Sequence, residues 1–221
     1  MNLSDITLIS DEAITVRKMA GFFRISQSIY VVAKLGIADL LKDSPKHCDD
    51  LAKATNSHSN SLYRLLRALA SIGIFAETQT KYFQLTPRAA CLVSNSPSSM
   101  RSGIMMLAEQ QYACWENLLH SIQTGENAFE HLYGMNFFEY CKQNPDSALI
   151  FDGAMAELSA INNPFVVAAY DFSSTGKLVD VGGGTGSLLA AILQRHPSFR
   201  GCCLINPISL TKHGNCSKQR E

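Results

Sequence analysis

The sequence predicts a mainly α N-terminal domain followed by the start of an α/β domain. Three observations predict it. Residues 13–97 read as a run of helices closed by a short hairpin, and residues 98–175 read as further helices. Residues 178–186, Leu-Val-Asp-Val-Gly-Gly-Gly-Thr-Gly, read as an apolar strand entering a glycine loop, and Ser187 to His196 then read as a helix. Only 35 residues follow Gly186 in the 221-residue sequence, so this strand–loop–helix unit starts late.

Composition sets the class. Apolar residues make up 46% of the chain, enough for a packed core. Nineteen basic residues balance nineteen acidic ones, so bulk attraction to nucleic acid or to an anionic membrane is not expected. No apolar run approaches the ~18 residues of a membrane span. Met1 to Glu12 lacks a basic segment followed by an apolar one, which predicts no secretory signal and a cytoplasmic location. The seven cysteines (48, 91, 114, 141, 202, 203 and 216) form no Cys-x-x-Cys pair and read as reduced thiols. Cys203, His213 and Cys216 are the metal-like grouping to weigh. They have no second paired set at usual zinc spacing, so no metal site is expected.

Helical periodicity runs from Ala13 to Leu41, with apolar residues at Val16, Met19, Phe22, Phe23, Ile29, Val32, Ala33 and Ile37 and a break at Gly36. Ser44-Pro45 marks a turn. Asp49–Ala54 reads as a short helix, and Ser61 is placed to cap a helix over Leu62–Ile72 whose apolar face is Leu62, Leu65, Leu66, Leu69 and Ile72. Gly73 closes that helix. Ile74–Ala76 and Tyr82–Leu85 read as a β-hairpin, and Thr86-Pro87 caps and opens another helix. Helix, helix, helix, hairpin is the winged-helix order. Such modules often bind DNA through the second helix of the pair, here carrying Arg64 and Arg67, with Lys81 on the hairpin. The broader basic footprint of a DNA reader is missing.

Pro97-Ser98-Ser99 reads as the domain boundary. Met100–Gln123 reads as one long helix carrying Trp115, stopped by Gly125, and Asn136–Lys142 as a short helix. Asn144-Pro145 starts a helix over Asp146–Tyr170 that Pro164 should kink or split. Lys177–Val181 reads as a strand of a parallel sheet, buried on both faces.

The glycine loop carries the chemistry. Gly182, Gly184 and Gly186 allow a sharp turn and a close backbone approach to a ligand, and the following helix aims its N-terminus at the same place. The dinucleotide spacing G-x-G-x-x-G fails, because position 187 is Ser, and no Gly-Lys-Ser/Thr of a phosphate loop is present. Asp180, two residues ahead of the glycines, suits a positively charged cofactor such as S-adenosyl-L-methionine better than a pyrophosphate.

These residues resemble a known family. Val-Asp-Val-Gly-Gly-Gly-Thr-Gly at 179–186, with Arg-His-Pro at 195–197, looks like the first motif of class I S-adenosylmethionine-dependent methyltransferases, and more narrowly of the plant caffeate and acetylserotonin O-methyltransferase type. Leu35-Gly36-Ile37-Ala38-Asp39-Leu40-Leu41, and Leu62 to Leu69 followed by Gly73-Ile74-Phe75, are similar to that family's winged-helix dimerisation domain. The likeness covers about residues 15–201. It implies a winged-helix dimerisation domain over 13–97, helical connector and substrate helices over 98–175, and the first βαβ of a Rossmann-like methyltransferase domain over 176–205. It also implies cofactor contacts at Asp180, Gly182, Gly183, Gly184, Gly186 and Ser159, substrate contacts at Phe151 and Met155, a small aromatic hydroxyl substrate and a homodimer. Without the resemblance, the four-residue spacing of Phe151, Met155 and Ser159 reads as core packing.

The chain also departs from the family pattern. The acid that binds the ribose hydroxyls should end the second strand, where this chain has Ile205 followed by Asn206, and no Asp or Glu occurs from Val181 to Arg220. The family's catalytic His should lie beyond position 221, and none of the histidines at 47, 58, 120, 131, 196 and 213 matches it. Residues 206–221 lose apolar pattern and read as a disordered tail. The expectation is a truncated, inactive O-methyltransferase form. The alternatives are a dimerisation module that pairs with intact methyltransferase subunits, and a winged-helix DNA-binding regulator.

Overall fold

The computed structural model describes residues 10–172, 176–198 and 200–204. The chain divides into two compact units, one running to Ser96 and the other starting at Pro97.

The first unit opens with α1 (Asp11–Ala20) and α2 (Phe23–Lys34). The periodic run from Ala13 is therefore broken at Gly21-Phe22 as well as at Gly36. Glycine is a poor helix former, and tight turns take over, with Gly21 N donating to Lys18 O at 3.0 Å and Phe22 N to Met19 O at 3.1 Å. Gly36, at φ 66°, turns the chain into α3 (Ile37–Leu40). The stripe expected to face a core splits in two. Val32, Ala33 and Ile37 are buried, whereas Val16 and Met19 stay 65% and 60% exposed and α1 buries no residue.

Strand β1 (Lys46–His47) precedes α4 (Cys48–Ala54) and α5 (Ser59–Ser71). The cap of α5 is His58, whose Nδ1 accepts from Ser61 N, and not Ser61 itself. The helix begins two residues before Ser61 because an unprotonated imidazole nitrogen serves the orphan N–H as a hydroxyl would. On its inner face Leu62, Leu66 and Leu69 are buried, while Leu65 is half-buried and Ile72 exposed. Strands β2 (Phe75–Gln79) and β3 (Tyr82–Leu85) form the antiparallel hairpin, and β1 adds to its far edge in the order β1-β3-β2. Phe75 and Phe83 fill the space between this sheet and α5. Thr86 caps α6 (Pro87–Ala90) by accepting from Ala89 N. Asp39 then ties the end of the unit back to α3, accepting from Ser94 N at 2.7 Å and from Ser94 Oγ at 2.8 Å.

The second unit is helical until residue 169. The run read as one helix over Met100–Gln123 is four pieces: α7 (Arg101–Met106), a π-helical segment (Leu107–Gln111), α8 (Tyr112–Glu116) and α9 (Leu118–Thr124). The π segment turns Gln110 inward, where its Nε2 donates to Ser147 O at 2.7 Å. Next come α10 (Ala128–Tyr133), α11 (Phe137–Gln143) with an Asn136–Glu139 capping box, and α12 (Pro145–Ala169). Pro164 lies inside α12 without splitting it. Its ring removes one helical N–H donor, a loss that the 25-residue helix absorbs.

Close packing of α7 on α12 rests on two small residues and one carboxylate. Glu157 accepts from Ser102 N at 2.9 Å and Gly103 N at 2.8 Å, satisfying the orphan donors at the start of α7. A Cβ on Gly153 would stand 2.6 Å from Ser102 Oγ, so only glycine admits this approach. The unit ends with β4 (Lys177–Val181), α13 (Ser187–Arg195) and β5 (Arg200–Leu204). Strands β4 and β5 pair in parallel, with Asp180 opposite Cys203. α13 packs against both α12 and β5, and Gly201 makes the second contact possible, because a Cβ there would sit 2.7 Å from Leu189 Cδ1. The expectation that β4 is buried on both faces fails: Val179 and Val181 are 47% and 78% exposed. α13 packs on the β5 side of the pair, and Val179 and Val181 stay exposed.

Candidate cofactor and substrate site

The site begins where β4 ends. Gly182, Gly184 and Gly186 adopt φ of 74°, 56° and 73°, a left-handed region that a side chain enters only under strain. Around Gly182 and Gly184 nothing lies within 4 Å of where a Cβ would be, so the loop presents bare backbone to open space. Both ends of the loop are anchored: Gly182 N donates to Leu204 O at 2.7 Å, and Gly186 N donates to Gly183 O at 2.8 Å. The N-terminus of α13 follows directly, with Gly186 as its cap residue.

Asp180 is placed differently from its neighbours. Its side chain folds over the backbone of Gly183 so closely that a Cβ on Gly183 would overlap the carboxylate, with Cys203 Sγ on the other side at 2.8 Å. Its Oδ2 is buried and lacks a hydrogen-bond partner among the described residues. A buried carboxylate oxygen without a donor is costly.

α12 supplies the second wall. Asn163 bridges it to the loop's helix, and sequence reasoning missed this residue. With its amide set to satisfy both ends, the nitrogen donates to Ser159 O at 3.1 Å, and the oxygen accepts from Leu188 N at 3.2 Å and Ser187 Oγ at 3.1 Å. This side chain does for α13 what a cap residue would have done, since Gly186 has none to offer. The signal available in the sequence was a polar Asn162-Asn163 pair inside an otherwise apolar stretch of helix. Ser159 lies one turn before Asn163, and Met155 and Phe151 lie about 6 and 12 Å further along α12 at helical rise. All three are half-buried. Phe151 closes an aromatic cluster, standing edge-on to Phe137 at 5.0 Å and to Phe138 at 6.2 Å, with Phe129 in turn against Phe137 at 5.4 Å. The glycine loop, Asn163 and Ser159 therefore lie together, and Met155 and Phe151 extend from them toward the aromatic cluster.

The histidines do other work. His47 and His58 cap α4 and α5, and His196 ends α13 at the far end from the loop, 6.0 Å from the Phe172 ring. His120 and His131 stack on each other between α9 and α10. His213, Ile205, Asn206, Cys216 and the stretch read as a tail lie outside the described residues.

Comparison with known proteins matches this division. Residues 18–95 match the model of the O-methyltransferase dimerisation domain, and residues 115–209 match that of the O-methyltransferase domain. The chain belongs to the O-methyltransferase family. It is 43% identical to the phenazine O-methyltransferase PhzM of Lysobacter antibioticus over 195 residues, covering 88% of this chain and 57% of that one. Among solved structures, LaPhzM superposes with a TM-score of 0.83 at 42% identity, covering 87% of this chain and 58% of LaPhzM. An O-methyltransferase from neocarzinostatin biosynthesis, solved with S-adenosylmethionine and 2-hydroxy-5-methyl naphthoic acid, superposes with a TM-score of 0.68 at 30% identity, covering 83% and 57%. The chain thus spans somewhat over half the length of the family members it matches.

The family's cofactor is S-adenosyl-L-methionine. At the candidate site the described residues present open loop backbone, a helix N-terminus, and an acid with a buried oxygen that lacks a hydrogen-bond partner among them. The acid that the resemblance places on the ribose has no Asp or Glu to match it in residues 182–220.

Proposed function

We propose that these residues are the dimerisation domain, the substrate helices and the first cofactor-binding edge of an S-adenosylmethionine-dependent O-methyltransferase whose substrate is the hydroxyl of a small aromatic molecule. The observation that carries the reading is the glycine loop between parallel β4 and α13, with Ser159 joined to it through Asn163. Asp180, Gly182, Gly183, Gly184 and Gly186 would hold the amino-acid end of the cofactor, and Ser159 would meet it from α12. Phe151 and Met155 would form an apolar wall that orients the aromatic acceptor. The bound cofactor supplies an electrophilic methyl group. The chain's part is to position it and exclude water.

No histidine of the described chain stands at the glycine loop, and the ribose acid is missing from the 182–220 stretch. The 221-residue polypeptide is therefore expected to hold the cofactor at millimolar concentration only, and to turn nothing over. A titration followed by amide NMR tests both halves of this. Shifts confined to Gly182–Gly186, Ser187 and their neighbours at millimolar S-adenosylmethionine support the half-site. Shifts elsewhere would remove the loop's assignment, and saturation at micromolar concentration would show the half-site to be a whole one.

A second reading, a module that pairs with intact methyltransferase subunits, is favoured by one specific observation. Met19, Phe22 and Phe23 leave an apolar face open at the end of α1 and the start of α2, in the segment matched by the dimerisation domain, and Val16 extends it one turn upstream, outside that segment. Apolar patches of this kind are interaction surfaces. The proposed partner is a second copy of the chain or a longer family member. Light scattering should give a dimer for the wild type and a monomer for the Met19→Asp/Phe22→Asp double variant. A wild-type monomer would count against pairing. No helix among the described residues is long and apolar enough to cross a membrane. A cytoplasmic location is part of this proposal.

A further inference from the structure

We propose that His120, Glu126 and His131 form a binding site for a divalent transition-metal ion, separate from the methyl-transfer chemistry. α9 stops at Gly125, and α10 starts under its Asn127 cap, so the two helices meet at a three-residue corner. The spacing His-x5-Glu-x4-His brings one residue from α9, one from the corner and one from α10 to the same place. The candidate ligand atoms of all three lie within 4.8 Å of one another. His120 Nε2 and Glu126 Oε2 are 2.8 Å apart, and the His120 and His131 rings stack with centroids 3.7 Å apart and planes 21° apart. This spacing is not one of the usual zinc patterns, and it uses no cysteine.

Two imidazoles and a carboxylate suit zinc, copper or nickel, whereas magnesium and calcium prefer oxygen alone. Three protein ligands leave a fourth position to water, as in an open site. The stack itself has to change. A metal ion lies in the plane of each imidazole that binds it, at about 2 Å from the nitrogen, and two nearly parallel rings 3.7 Å apart share no such point. His131 must therefore swing about its Cα–Cβ bond. It is exposed on a six-residue helix, so the swing displaces solvent and leaves the core intact. Glu126 is 65% exposed and equally free to move. Once bound, the ion ties α9 to α10, and α10 carries Phe129 of the aromatic cluster beside Phe151.

Calorimetric titration of the full chain with Zn²⁺ is expected to show one ion per chain at low micromolar affinity, together with a rise in melting temperature. His131→Ala and Glu126→Gln, both at exposed positions, should each weaken binding by about tenfold or more and remove the thermal shift. Because the chain also contains seven cysteines, the Co²⁺ complex identifies the ligands. A d–d spectrum without a thiolate charge-transfer band fits nitrogen and oxygen donors. Affinity no tighter than millimolar, binding unchanged by His131→Ala, or a thiolate band lost only on cysteine replacement would each overturn the site.

Discussion

Phe83→Ala should cost the N-terminal unit about 3–5 kcal/mol in urea unfolding, a large share of the ~5–15 kcal/mol that holds a typical domain. Phe83 is fully buried on β3, the middle strand of the three-stranded sheet, paired through its backbone with Lys46 on one side and Glu77 on the other. Its ring meets Tyr63 of α5 edge-on at 6.1 Å, so one side chain joins the hairpin to the helix beneath it. Truncation removes that ring's burial and leaves a cavity that a paired central strand cannot close. Phe22→Ala is the control. The same chemical change at a residue 56% exposed should move the unfolding free energy of the isolated subunit by less than about 0.5 kcal/mol. Equal losses at the two positions would mean that the core does not lie between the hairpin and α5.

The contrast between Phe22 and Phe83 shows what the sequence makes legible. Apolar periodicity says that a helix face needs cover, and it says so equally for α1, which is exposed, and for α5, which is buried. What supplies the cover is not written in the period. Short-range features read with similar limits. Thr86-Pro87 and Asn136 act as the caps their chemistry suggests. At α5, Ser61 was the conventional cap, yet His58 took the role, because an imidazole nitrogen can accept from the same N–H. The dipeptide strand Lys46–His47 carries no pattern of its own and exists only because β3 offers it an edge. The break inside Met100–Gln123 is hidden because a π turn adds one residue to the helical count, shifting the apolar register by a step too small for a window average to notice.

At the candidate site the local part was readable and the part assembled over distance was not. The bounds of β4, the glycine turn and the start of α13 follow from a strand pattern meeting residues that permit positive φ. The direction of the Asp180 carboxylate does not. It depends on the absence of a Cβ at Gly183 and on Cys203 across the parallel pair, a contact spanning more than twenty residues. Asn163 bonds to a helix that starts 24 residues later. His120 and His131 meet because Gly125 lets the chain turn back, and periodicity carries no information about corners.

Gly183→Val should destabilise the β4–loop–α13 segment by about 3 kcal/mol, at the upper end of the usual overpacking cost. The argument is steric. The added Cβ falls on the Asp180 carboxylate and within 2.8 Å of Cys203 Sγ, and both groups are short side chains on paired strands with little room to retreat. Hydrogen exchange should therefore quicken at the amides of β4, β5 and α13 while those of α5 and the hairpin keep their protection, since the two units fold around separate cores. Gly184→Ala provides the contrast. Nothing stands near its Cβ, so its cost is the backbone strain of φ 56° alone, about 1–2 kcal/mol. Because Asp180 is the obstacle at Gly183, Asp180→Ala should return part of the loss when combined with Gly183→Val. It should return none when combined with Gly184→Ala, which makes the pair a double-mutant cycle with a predicted sign. Full additivity at 180 and 183 would place the Asp180 side chain elsewhere. The same carboxylate would then be free to face a ligand directly, without first giving up its place over Gly183.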